Sequence, residues 1–269
     1  MLPWVEKHRP HAWSDMVGNT SVAEYFGRCA REKKPLHHVL LVGPPGIGKT
    51  SALKCFARQR LGSSFAKAFR EVNASDDRSA SAIRAAVRGF LSQRLSLRAG
   101  QRKILLCDEM EAMTPDAQQT LCDLIDAHQA RMCFALACNS IDSVSARLLG
   151  RLTVLRFQRL ADEDVGRRLR VVLEREGCTE VCPAGFQHIV QSSRGDLRSA
   201  INNAQAVVSV SSRLSLEAVT AVVSVPPQNY LVRFLRLCQE AKMKDARSVL
   251  LDLLRQGYSC LDATDALIW

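Results

Sequence analysis

Short apolar runs alternate, along the first half of the chain, with longer segments whose apolar positions recur at helical spacing. His38-Val-Leu-Leu-Val42 is apolar almost throughout and ends at Gly43, as a strand buried on both faces does. Ser51 to Leu61 carries apolar residues at helical spacing, and Gly62 stops it. Arg70 to Asn73 reads as a second strand. Ser81 to Leu95 reads as a helix, with Ile83, Val87 and Phe90 on one face and Arg84 and Arg88 on another. Ile104 to Cys107 is a third strand that runs straight into Asp108-Glu109. Thr114-Pro115-Asp116 opens a helix, with Thr as the cap and Pro in the first turn. Met132 to Cys138 and Thr153 to Phe157 are the fourth and fifth strands. Strands alternating with helices predict an α/β domain built on a doubly wound parallel sheet.

After about residue 160 strand-like runs become scarce. Asp162-Glu163-Asp164 caps a helix that runs through Leu169, Val172 and Leu173, another starts near Pro183, and Gly195-Asp196 opens a third through Leu197, Ile201 and Ala204. Pro226-Pro227 marks a further break. Tyr230–Gln239 and Asp245–Gln256 read as two more helices, and the chain stops at Trp269 soon after the second. Two helices and a short tail make a poor independent domain, so this segment reads as the start of a third module.

Composition narrows the possibilities. The chain has 269 residues, enough for one large domain or two modest ones with real cores. Aromatics are only 6%, so aliphatic packing must dominate. No apolar run reaches the ~18 residues of a membrane span. The charged opening Met1-Leu-Pro-Trp-Val-Glu-Lys-His-Arg-Pro10 lacks the apolar stretch of a secretory signal, and no membrane partner is expected. The net charge of +10 is carried mostly by arginine. It reads either as a solvated basic surface or as affinity for a polyanion such as nucleic acid. Ten cysteines are scattered singly with no C-x2-C pair, which predicts small buried hydrophobes in a reducing compartment rather than zinc ligands.

Candidate chemistry begins at Gly43-Pro44-Pro45-Gly46-Ile47-Gly48-Lys49-Thr50-Ser51. The pattern G-x4-G-K-[ST], placed between an apolar strand and a helix, turns backbone N–H groups toward phosphate oxygens. It predicts ATP binding, with Lys49 on the β- and γ-phosphates and the Thr50 hydroxyl on Mg2+. Asp108 at the tip of the third strand offers the hard oxygen that Mg2+ takes, and Glu109 can polarise the water that attacks the γ-phosphate. An acidic pair after a strand can also be an ordinary solvated turn. Asn139 ends the next strand, where a polar residue would sit beside the γ-phosphate or cap a turn.

Together these elements resemble the clamp-loader branch of the AAA+ ATPases, the small subunits of eukaryotic and archaeal replication factor C. Pro3-Trp-Val-Glu-Lys-His-Arg-Pro10 resembles that family's opening P-W-V-E-K-Y-R-P. Val17-Gly18-Asn19, the phosphate loop, Val72-Asn-Ala-Ser-Asp76, Asp108-Glu109, Phe134-Ala-Leu-Ala-Cys-Asn139, Val154-Leu-Arg-Phe157 and Gly195-Asp-Leu-Arg-Ser-Ala-Ile-Asn202 follow in family order. The wording of Leu53-Lys-Cys-Phe-Ala-Arg58 and Ala135–Asn139 is nearest to the subunit 2 branch.

The resemblance implies a division into a nucleotide-binding domain (1–160), a helical lid (161–224) and a partial helical collar (225–269). It implies that Val5, Arg9 and Val17 hold adenine, that Asn139 and Arg198 sense phosphate, and that Arg151 reaches the ATP of a neighbouring subunit. It also implies that Arg84 and Arg88 track the DNA backbone. Taken alone, Arg151 and Arg198 would read as surface charges. The implied activity is ATP-driven loading of a ring-shaped sliding clamp onto primer–template DNA in replication and repair. The implied setting is a nuclear heteropentamer that needs ATP and Mg2+.

Four segments depart from the family pattern. The arginine finger stands in Gly150-Arg151-Leu152 rather than S-R-C. Arg78-Ser-Ala-Ser81 replaces R-G-I-D, and Asp108-Glu-Met-Glu111 replaces D-E-A-D. Thr120-Leu-Cys-Asp-Leu-Ile-Asp126 replaces A-L-R-R-T-M-E, with the loss of two basic residues. A nucleotide-binding scaffold that hydrolyses little, and a different AAA+ remodeller, remain open as alternatives. The remodeller lacks a pore-loop signature in this sequence.

Overall fold

Among the described residues five short runs form strands, all paired in parallel, because their β-branched and aliphatic residues suit a sheet covered on both faces. They are β1 (Val39–Val42), β2 (Phe69–Asn73), β3 (Lys103–Asp108), β4 (Met132–Cys138) and β5 (Thr153–Arg156). Their order in the sheet is β2-β3-β4-β1-β5. The computed structural model describes residues 2–32, 35–75, 78–211, 213–223 and 228–268. Asp76, Pro226, Pro227 and Trp269, which figured in the sequence reading, lie outside the described residues.

The helices are α1 (Trp4–Lys7), α2 (Thr20–Arg31), α3 (Lys49–Leu61), α4 (Phe65–Ala68), α5 (Ala80–Ser92), α6 (Pro115–His128), α7 (Ala146–Leu149) and α8 (Asp162–Arg175). They continue as α9 (Pro183–Ser193), α10 (Leu197–Val210), α11 (Leu216–Val222), α12 (Gln228–Gln239), α13 (Met243–Arg255) and α14 (Cys260–Ile268). The chain divides into two compact units, Met1–Val172 with Ser193–Asn202, and Leu173–Ser192 with Asn203–Trp269.

In the first unit, alternation along each strand sends side chains into two separate cores. Leu40, Leu105, Phe134 and Leu136 pack with Ile83, Val87 and Phe90 of α5 and Leu121 and Ile125 of α6. Val39, Leu41, Leu106 and Ala135 pack on the other face with Val22 and Phe26 of α2 and Leu53 and Phe56 of α3. Phe26 and Phe56 meet with ring centroids 5.1 Å apart. The α/β doubly wound arrangement read from the strand pattern is the observed one. Of the ten cysteines, Cys55, Cys107, Cys122, Cys133 and Cys138 are buried as small hydrophobes. Burial pushes the Cys107 and Cys133 thiols up to about 12.

Three local differences from the sequence reading have physical causes. Helix α5 stops at Ser92, short of Leu95, because the buried Lys103 ammonium, arriving from β3, takes the Phe90 and Gln93 carbonyls. Helix α2 went unread, although Phe26 is fully buried and anchors it. After α12 and α13, which answer to the two helices expected near the chain's end, a third, α14, follows. It starts at a reciprocal cap that Ser259-Cys-Leu-Asp262 spells out. The Ser259 backbone N–H donates to Asp262 Oδ2 at 2.7 Å, and the Asp262 N–H donates to Ser259 Oγ at 3.1 Å.

Phe56 joins the helix that follows the phosphate loop to the sheet. Phe56→Ala should lower unfolding free energy by about 3–5 kcal/mol. Urea unfolding followed by circular dichroism checks this, and a loss under 1 kcal/mol would mean the site collapses around the cavity.

Candidate functional site

Parallel register sets the positions of the polar residues. Val42 of β1 lies opposite Cys138 of β4, and Cys107 of β3 lies opposite Leu136 of β4. Their carboxyl ends therefore emerge side by side, where ligands gather in a doubly wound sheet. From there the chain runs into the glycine-rich loop, into Asp108-Glu109, and into Asn139.

The loop turns sharply into α3. Gly46 and Gly48 hold φ of 71° and 91°, a region open to glycine at little cost. A Cβ on Gly46 would fall 1.7 Å from Oδ1 of Asp196, so that carboxylate lies directly against the loop. Asp196 itself caps α10, accepting from the Ser199 N–H at 3.0 Å.

Lys49 is nearly buried, at 9% exposure. Its ammonium donates to the Gly43 carbonyl, to the Pro44 carbonyl at 2.8 Å and to Asn139 Oδ1 at 3.0 Å. Burial pulls its pKa below the usual lysine value, and the Asp108 and Glu111 carboxylates partly oppose that pull. The Thr50 hydroxyl donates to Asp108 Oδ2 at 2.7 Å. Two hard oxygens thus sit together, which is as many protein ligands as Mg2+ takes beside a phosphate. Asp108 Oδ1 accepts from the Glu109 N–H at 2.9 Å. Glu109 is exposed with a φ of 55°, a left-handed conformation uncommon for a non-glycine residue and frequent at functional sites.

Most of the residues singled out in the sequence line one cavity of the first unit. Pro45, Gly46, Ile47, Gly48, Lys49, Thr50 and Ser51 line it, together with Asp108, Glu109 and Asn139. Val5, Arg9 and Val17 line it as well, and so does Arg198 from α10. Gly43 and Pro44 contribute through the carbonyls that hold Lys49.

Three others are elsewhere. Arg151, on the turn after α7, donates from Nε and Nη2 to the Asp126 carboxylate at 2.8 and 2.6 Å. Arg84 and Arg88 line a separate groove between α5 and α6, together with His128 and Arg131. There the Arg84 guanidinium donates to Thr120 Oγ1 at 2.8 Å.

Three site residues were missed from the sequence. Glu111 accepts from Asn139 Nδ2, so the acid two positions after Glu109 reaches the end of the neighbouring strand. Asp196 lies against Gly46, although in sequence it reads as a helix cap alone. Arg168 of α8 is 5% exposed, donates to the His8 carbonyl at 2.9 Å, and lines the same cavity as Val5 and Arg9. In an amphipathic helix rich in arginine, nothing local separates it from its solvated neighbours. Its signal would have been its place beside Leu169 and Val172 on the buried face.

Residues 39–160 match the ATPase family associated with various cellular activities (AAA). A probable replication factor C subunit 2 from Dictyostelium discoideum is 36% identical over 267 residues, covering 99% of this chain and 78% of that protein. Replication factor C subunit 4 of Saccharomyces cerevisiae is 35% identical, covering 97% of this chain and 80% of that one. The chain belongs to the replication factor C family. An archaeal replication factor C small subunit, from Sulfolobus acidocaldarius, is 33% identical over 93% of this chain and 76% of its own length. The Thermotoga maritima RuvB Holliday junction branch migration motor superposes with a TM-score of 0.67 at 18% identity, covering 87% of this chain and 80% of that one. That likeness concerns the fold. This replication factor C family member is accordingly an AAA+ ATPase.

Gly46→Ala should abolish nucleotide binding, because the new methyl group strains the loop and collides with Asp196. Titration with a fluorescent ATP analogue checks it. Binding within about threefold of the parent would show that the loop and Asp196 part without cost.

Proposed function

We propose that this chain is an ATPase subunit of a replication factor C clamp loader. It would use ATP binding and hydrolysis to load a ring-shaped processivity clamp onto primer–template DNA in replication and repair. What carries this reading is the gathering of Lys49, Thr50, Asp108, Glu109, Asn139 and Arg198 around one cavity in a member of this family.

ATP lies with its adenine toward Val5, Arg9 and Val17 and its phosphates on the loop Gly43–Ser51. Backbone N–H groups at the start of α3 face the phosphates, and the helix dipole favours their charge. Lys49 exchanges its carbonyl and amide partners for β- and γ-phosphate oxygens. Thr50 and Asp108 would hold Mg2+, which would neutralise phosphate charge during transfer. Glu109 orients the attacking water and takes up its proton, while Asn139 and Arg198 contact the γ-phosphate from either side. Water attacks the γ-phosphorus as the bond to the bridging oxygen breaks, giving ADP and inorganic phosphate.

Arg151 completes the nucleotide site of an adjoining subunit within a heteropentamer. The groove that holds Arg84 and Arg88 follows the DNA backbone, through phosphate contacts that carry no sequence information. The division into nucleotide-binding domain (1–160), lid (161–224) and collar (225–269) assigns oligomerisation to the last segment. A replicative role puts the complex in the nucleus.

Three experiments test this reading in the assembled complex. Glu109→Gln should leave ATP affinity intact and cut hydrolysis at this site by at least ~100-fold. ATPase of the parent complex should rise on adding DNA with clamp. A rate that stays flat favours a scaffold, and stimulation by unfolded protein favours a remodeller. Arg84→Ala should weaken DNA binding alike for all sequences and reduce the slope of log affinity against log salt by about 1. An unchanged slope removes Arg84 from the DNA path.

A further inference from the structure

The turn that carries Arg151 is fastened along helix α6. Gln118, buried in that helix, donates to the Ser143 carbonyl at 2.8 Å and accepts from the Ser145 N–H at 2.9 Å, which sets the start of α7. Further along α6, Asp123 pairs with Arg147 at 3.5 Å. Further still, Asp126 takes Arg151 by Nε and Nη2, at 2.8 and 2.6 Å, while the Arg151 Nη1 donates to the Arg147 carbonyl at 2.8 Å. A guanidinium has five N–H donors in a rigid plane. These three contacts use one donor on each nitrogen and leave one on Nη1 and one on Nη2.

The Arg151 side chain is 27% exposed, so the remaining donors are within reach of a partner. Two donors on adjacent terminal nitrogens are what a phosphate oxygen pair takes. An exposed ion pair adds little to stability, so fold stability alone gives weak reason for a bidentate carboxylate at this position. The contact is nonetheless strong enough to hold the Asp126 carboxyl below its usual range through the Arg151 hydrogen bond.

We propose that Asp126 is the positioning residue for Arg151, fixing the plane of its guanidinium so that the two remaining donors meet phosphate at an adjoining subunit's nucleotide site. This rests on the reading that Arg151 acts in trans. The carboxylate does not touch nucleotide. It restricts the rotamers of a long side chain before the subunits meet, so less freedom is lost when phosphate is bound. The effect falls on turnover at the neighbouring site and not on this chain's own nucleotide.

The test uses the complete complex with DNA and clamp, comparing parent, Arg151→Ala, Asp126→Asn, Asp126→Glu and the Asp126→Asn/Arg151→Ala pair. Asp126→Asn should lower kcat at the adjoining site by roughly 5-fold or more with little change in KM. Asp126→Glu should recover it to within about 2-fold, since the fork is still met by a carboxylate. The double variant should be no slower than Arg151→Ala alone, because the carboxylate acts only through that arginine. Nucleotide affinity at this chain's own site, measured for each variant, should match the parent and report an intact fold. If Arg151→Ala is slow while Asp126→Asn equals the parent, the positioning role is overturned and the finger reading stands. If Arg151→Ala itself equals the parent, the finger reading fails and takes the positioning role with it. A double variant clearly slower than Arg151→Ala would give Asp126 a separate role and also overturn the proposal.

Discussion

The parallel register of β3, β4 and β1 is the constraint from which the site follows. Three strands that end level with one another deliver Asp108, Asn139 and the phosphate loop to one edge, and no side chain has to reach far. The register is fixed in turn by the two cores. A slip of one residue would exchange Leu40 and Phe134 with Leu41 and Ala135 between faces, undoing the packing of α5 and α6 on one side and α2 and α3 on the other. The polar edge is therefore secured by apolar side chains that lie within the two cores.

Lys49 shows what that edge does before nucleotide arrives. A cation so close to full burial would be costly without acceptors, and the chain supplies its own from Gly43, Pro44 and Asn139. Asn139 is in turn held by Glu111. Lysine, amide and carboxylate thus form one line of hydrogen bonds that crosses from β1 to β4 and on to the segment after β3. On the proposed reading, phosphate would exchange these partners rather than create contacts from nothing. Affinity is then the difference between two satisfied states and is smaller than the phosphate contacts alone would suggest. Asp196 against Gly46 adds a negative charge to the same balance.

Much of this was legible in the sequence because it is local. Apolar runs that end in glycine or in acid mark both a strand and the level at which it ends, so the loop, Asp108-Glu109 and Asn139 could be read from spacing alone. Short-range patterns also carried the Thr114 cap, where the hydroxyl accepts from the Ala117 N–H at 3.3 Å. What escaped depends on tertiary contact. Arg168 looks like any arginine of an amphipathic helix until the His8 carbonyl is brought to it. Lys103 ends α5 from a position on another element. Helix α14 is different, because its Ser259/Asp262 cap is local and is itself a sequence signal.

Helix α6 shows how a departure from a family pattern can be structural rather than degenerate. The resemblance implies arginines where Cys122 and Asp123 stand. Cys122 is fully buried in the core with α5, a place that an arginine could fill only by snorkelling its charge to the edge. Asp123 faces Arg147, so the change of sign there makes an attraction across the α6–α7 seam where an arginine would make a repulsion. The Arg84 bond to Thr120 ties the other flank of α6 to α5. The helix is therefore held on one side by the basic groove and on the other by the turn that carries Arg151, through side chains spaced about two turns apart. A shift of α6 along its axis has to move both sets of contacts together. Thr120, Asp123 and Asp126, three positions at which this helix departs from the family wording, thus each tie it to a neighbouring element.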